Sequence, residues 1–135
     1  MNEVKIKFDV QDQEFVDGEL KTIKNQIELM LDPSLNAQTR FEVNFPIISS
    51  NGEDLLAYTS RIQKILEDKK NKNEKPTLAE IGIALKITYC WFDTSLSYED
   101  FVKVFSFGDV EQQDKNLDKL IKVMKIVLGG SAEKN

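Results

Sequence analysis

The chain has no histidine and a single cysteine, Cys90. Those two absences exclude most familiar nucleophilic chemistry. Ser-His-Asp and Cys-His sites are impossible, as are histidine-bearing zinc sites and a histidine acid–base group. One cysteine cannot form a disulfide within the chain. Arginine is also scarce, since Arg40 and Arg61 are the only two among 18 cations. Nucleic-acid recognition depends on clustered cations and on bidentate guanidinium contacts, and the net charge here is −5. No nucleic-acid partner is expected. No apolar run approaches the roughly 20 residues that span a bilayer, and Met1–Val10 lacks the continuous apolar core of a signal peptide. The expectation is an intracellular protein without a membrane partner, whose unpaired thiol suits a reducing compartment.

What remains is ordinary globular material. Hydrophobic residues make up 41% and charged residues 30% of 135 residues, the scale of one domain. Val4, Ile6, Phe8 and Val10 alternate with Lys5, Lys7 and Asp9, the period of a half-buried strand, until Gln11-Asp12-Gln13 breaks the pattern. From Glu14 onward Val16, Leu20, Ile23, Ile27, Met30 and Leu31 fall at helical spacing, with Gly18 a weak point, and Asp32-Pro33 stops the run. Phe41, Val43 and Phe45 alternate again, which reads as a second strand, with a helical start at Asn36 as the competing reading.

Ser50/Glu53 and Thr77/Glu80 have capping-box spacing. The first precedes a stripe of Leu55, Tyr58, Ile62, Ile65 and Leu66, and the polar stretch Glu67–Lys75 then reads as an exposed loop. The second opens Leu78–Phe92, which is apolar almost all round and too short to span a membrane. Ser97 with Asp100 begins a further segment, and Phe107-Gly108-Asp109 stops it. A last helix from Val110 to Leu128 ends at Gly129-Gly130. These readings predict a mainly α single domain over residues 1–128, with four to five helices and a small two-stranded β element near the N-terminus. Residues 129–135 read as a flexible tail.

Paired carboxylates are the one catalytic chemistry left open: Asp9/Asp12, Glu53/Asp54, Glu67/Asp68, Glu99/Asp100 and Asp109/Glu111. Acid–base work needs a carboxyl held in a dry pocket, whereas these pairs sit at helix starts, turns and polar stretches. The acidic residues at 109, 111, 114 and 118 lack the central glycine and the spacing of a calcium loop. No phosphate-cradling glycine loop occurs. Cys90 lies among Tyr89, Trp91 and Phe92, where a thiol behaves as a small hydrophobe. The chain is therefore expected to be non-enzymatic, with no cofactor and no metal.

Seven of the twelve aromatics fall between Tyr89 and Phe107. Helix-spaced aromatics pack into cores, and they are also enriched in binding surfaces. With the all-round apolar Leu78–Phe92 segment, and with Val123 and Ile126 lying off the main stripe of the last helix, there is more apolar helix face than one tidy bundle needs. This surplus predicts self-association or a helical client in a groove. The candidate contact residues are Trp91, Phe105, Leu120, Val123, Met124 and Val127.

The layout also carries a resemblance. A strand starts almost at Met1, a Ser-Tyr-Glu-Asp-Phe entry spans residues 97–101, and the last amphipathic helix runs into Gly-Gly-Ser at 129–131. In size, acidity and lysine- and asparagine-rich composition, the chain resembles the small tail-assembly chaperones of long-tailed bacteriophages of Gram-positive hosts, lactococcal phages in particular. That resemblance implies a non-enzymatic, self-associating protein of the host cytoplasm, absent from the mature virion. Its partner would be the tape measure protein, a hydrophobic helical client. The alternative is a structural adaptor or head–tail connector component of a phage particle.

Overall fold

The computed structural model describes residues 4–106 and 110–129; its side-chain account leaves out 10–13, 22–25, 104–106 and 110–113. The Phe107–Asp109 stop and the tail from residue 130 lie outside the described residues.

The chain opens with a long antiparallel hairpin. Strand β1, Val4–Val16, pairs with β2, Glu19–Leu31, from Val4↔Leu31 at the base to Val16↔Glu19 at the turn. The turn is Asp17-Gly18, and both residues have positive φ, 53° and 81°. Asp-Gly is the preferred pair for a two-residue hairpin turn, because its backbone twist matches that of the flanking strands. At about 3.3 Å per residue each strand is about 43 Å long.

Helix α1, Leu35–Asn44, follows, with the short α2 at Pro46–Ser49. Helix α3 spans Leu55–Asn71 and α4 spans Leu78–Cys90. A two-residue strand β3, Phe92–Asp93, pairs with β2 at Met30 and Leu31, so the sheet order is β1-β2-β3. Helices α5, Tyr98–Ser106, and α6, Val110–Val127, complete the described chain. The fold is mixed α/β, with a three-stranded antiparallel sheet and six helices among the described residues, and it corrects the expectation of a mainly α domain.

Two local readings account for the correction. The segment expected to be a helix from Val16 is β2. Its apolar residues satisfy a spacing of three and four, but Ile27, Leu29 and Leu31 also alternate, and they face the core while Glu28 is exposed. The Asp17-Gly18 turn decides between the periods, and β1 accordingly continues through Gln11-Asp12-Gln13.

The segment expected to be a strand at Phe41–Phe45 is α1. Ser34 caps it, its hydroxyl accepting from the Asn36 N–H at 3.2 Å. Ala37 and Phe41 face inward one turn apart, and Val43 is 73% exposed, where a strand of that register would bury it. The Ser50/Glu53 box does not form. Asp54 caps α3 instead, accepting from the Ala57 N–H at 2.7 Å, and Glu53 pairs with Arg61 at 2.6 Å. The Thr77/Glu80 box does form. Helix α3 also runs through Glu67–Asn71, ending where Asn73 turns back with φ of 56°.

One core unites these elements. Helix α4 is its centre, with Ala84, Leu85, Ile87, Thr88, Tyr89 and Cys90 all buried, which explains an apolar surface on nearly every side. Among the described side chains of the hairpin, those at its base join it. Phe8 meets Phe92 edge-on at 6.0 Å, and the Lys119 ammonium of α6 lies 5.7 Å from the Phe8 ring centre and donates to the Lys7 carbonyl. Toward the turn, Phe15 stands opposite Leu20, and both are exposed, at 74% and 57%.

Candidate functional site

The path from β2 into α1 crosses the end of α4, and a buried-to-surface network fixes that crossing. The Asp32 N–H donates to the Trp91 carbonyl at 2.8 Å. Arg40 donates from Nε to the Cys90 carbonyl at 2.8 Å, and from Nη1 to Asp32 Oδ2 at 3.2 Å. The Asp32 carboxyl is held below its ordinary range first by the Ser34 hydroxyl; partial burial works against this and Arg40 assists it. Arginine's planar fork suits such a junction, because one side chain reaches a carboxylate and a helix-end carbonyl together.

Trp91, the residue that ends α4, is held from its other side. Its indole N–H donates to Thr59 Oγ1 at 3.0 Å, and the Thr59 hydroxyl donates to the Leu55 carbonyl at 2.6 Å. Thr59 is fully buried and Trp91 only 6% exposed, so the network is shielded from water. A second tie crosses from α1 to α3: the Leu55 N–H donates to Gln38 Oε1 at 2.7 Å, while Gln38 Nε2 donates to Glu42 at 2.8 Å.

Between these ties lies an open cleft of about 390 Å³. Its apolar lining is Pro33, Leu35, Leu55, Leu56, Trp91 and Val127, and its polar lining is Ser34, Gln38 and Asp54. Leu35 is 88% exposed and Leu56 48% exposed, so the apolar surface continues outward from the cleft. A cleft of this size, mostly apolar with a few fixed polar groups, has room for a few side chains.

The expected contact residues divide. Trp91 and Val127 both line the cleft, one from the end of α4 and the other from the last residue of α6. Leu120, Val123 and Met124 are no more than 1% exposed and face the core. The side chain of Phe105 lies outside the described residues. Burial of Leu120, Val123 and Met124 follows from the breadth of the core, since α6 packs against α3, α4, α5 and β1 at once. Leu35 was missed because α1 was read as a strand, and Leu56 because it lies off the inward stripe of α3. Once α1 is a helix capped at Ser34, an exposed leucine at its first position is the signal.

Several of the candidate carboxylates and the thiol hold structural positions, while the side chains of Asp12, Asp109 and Glu111 lie outside the described residues. Glu67 is drawn below its ordinary range chiefly by Lys125, 2.7 Å away, and Glu80 chiefly by Lys69 at 2.6 Å. Asp9 accepts from Gln26 across the hairpin at 2.9 Å. Desolvation pushes the Cys90 thiol up to about 12, and the buried sulfur donates to the Lys86 carbonyl. Among the described residues no cluster of His, Cys, Asp and Glu could hold a metal ion, and no helix is long and apolar enough to cross a membrane. The chain matches no known family, no curated protein and no solved structure.

Proposed function

We propose that this chain is a non-catalytic holder of a helical client. The particular role we propose is that of a tail-assembly chaperone, which keeps the hydrophobic tape measure protein soluble in the host cytoplasm and is absent from the finished virion. The observation that carries the proposal is the open apolar cleft between α1, α3 and the ends of α4 and α6, with Leu35 and Leu56 exposed at its mouth. Contiguous apolar surface around a cleft marks an interaction site, and a client helix covers it by inserting side chains at one-turn spacing. The net charge of −5 keeps such a complex soluble. Co-expression tests the role: a tagged copy should retain the tape measure protein encoded beside it and keep it in the soluble fraction. A tape measure protein that stays insoluble and unbound refutes it.

A structural adaptor of the phage particle is the second reading, favoured by one feature. The hairpin carries an exposed Phe15–Leu20 pair next to its turn, and β1 has no strand on its outer side among the described residues. An unpaired strand edge is a template for pairing with another chain. Purified virions separate the two readings, since an adaptor is found in them and a chaperone is not.

A further inference from the structure

The exposed apolar surface at the cleft extends along α1. Leu35, Thr39 and Val43 lie at successive one-turn spacings, all exposed, and Ile47 at the start of α2 is 83% exposed. The row covers about two turns of α1, with Ile47 beyond the break at Phe45, and Leu35 joins it to the cleft; one-turn spacing of this kind complements a helix.

Charge narrows the partner. Asp54 stands in the cleft wall and Glu42 one turn along α1 from Gln38; both are exposed. Neither has a cation within ion-pair distance among the described residues. The two arginines of this region are already matched, Arg40 to Asp32 and Arg61 to Glu53. The N-termini of α1 and α3, which would otherwise favour an anion, have donors taken by Ser34 and Asp54. The rim is therefore acidic around an apolar floor.

The geometry points to a docking site for an amphipathic helix of a partner protein whose apolar face is flanked by lysine or arginine. The helix lies along α1, seats one apolar side chain in the cleft over Trp91 and Val127, and places its cations beside Asp54 and Glu42. This inference rests on the reading of the chain as a holder of helical clients, and it names the surface and the chemistry that reading leaves open.

Two synthetic peptides of about five helical turns test it, with the same leucine face and flanks of lysine in one and glutamate in the other. Trp91, the only tryptophan, reports seating through its fluorescence. The lysine peptide should bind saturably, and the glutamate peptide at least tenfold more weakly at low salt, a gap that closes as salt screens the rim. Leu35→Ser with Leu56→Ser should weaken binding at least tenfold. Asp54→Asn with Glu42→Gln, which keeps the helix cap, should weaken the lysine peptide several-fold with an unchanged circular dichroism spectrum. Phe15→Ser with Leu20→Ser at the hairpin end should change nothing.

Equal binding of both peptides overturns the inference. So does loss that follows the hairpin substitutions. So does a concentration-dependent dimer in sedimentation that Leu35→Ser abolishes, which would mean a second copy covers this face. The role itself fails separately. A tape measure protein still solubilised by the Leu35/Leu56 variant sinks this surface and leaves the role standing. Peptide binding intact beside an unretained tape measure protein does the reverse.

Discussion

Replacing Thr59 with valine tests whether the polar tie behind the cleft holds Trp91 in place. Valine keeps the shape of threonine but removes the oxygen that accepts from the indole N–H at 3.0 Å. Trp91 is 6% exposed and Thr59 fully buried, so no water replaces the lost acceptor. A buried donor left unsatisfied costs about 1–3 kcal/mol. The second lost bond matters less, because the Leu55 carbonyl stays within the ladder of α3. With a urea slope of about 2 kcal/mol per molar, the midpoint should fall by about 1 M. The stronger measurement is a double-mutant cycle with Trp91→Phe, which removes the donor itself, followed by far-ultraviolet circular dichroism. Thr59→Val should cost about 1–2 kcal/mol less in that background than in the parent. A coupling below about 0.5 kcal/mol would refute the claim that this bond positions the ring.

Further outcomes follow from other parts of the fold. Gly18→Ala should cost about 1–2 kcal/mol in thermal melts, because nothing crowds a Cβ there and the expense is the left-handed backbone alone; Gly18→Asn should cost less. The Cys90 thiol should resist alkylation at pH 8 in the native protein and react at once in denaturant; fast native labelling would contradict its burial. Asp32, Glu67 and Glu80 all have lowered native values, so their stabilisation is present above the ordinary carboxyl values of 3.8 and 4.5. It should be lost as pH falls from there through the depressed native values. Urea midpoints measured down the pH scale that stay flat below pH 4.5 would contradict this. Lys125→Met should flatten that acid limb in part, by removing the chief partner of Glu67.

Much of the helical half was legible along the chain. The Thr77/Glu80 box, the apolar α4 and the stripe of α3 are local patterns, and local hydrogen bonding and 3.6-residue periodicity suffice to read them. The β hairpin was half legible. Val4–Val10 alternates plainly, but β2 carries apolar residues at spacings that serve both periods, and the Asp17-Gly18 turn was the local clue that outranked them. Helix α1 was obscured by the reverse accident, an apolar alternation at Phe41, Val43 and Phe45 that helical burial ignores.

Composition alone rules out histidine- and disulfide-based chemistry, because a residue type that is missing needs no partner in space to be read. Trp91 and Val127, two of the expected contact residues, line the cleft. Only the tertiary structure decided that Leu120, Val123 and Met124 face the core while Leu35 and Leu56 stay exposed. All five are apolar residues on helices, and only position sets them apart locally, the first turn for Leu35 and Leu56 against the body of α6 for the others. Which faces are covered depends on where distant elements pack, and Arg40, Asp32 and Thr59 tie α1, α3 and the end of α4 together around Trp91.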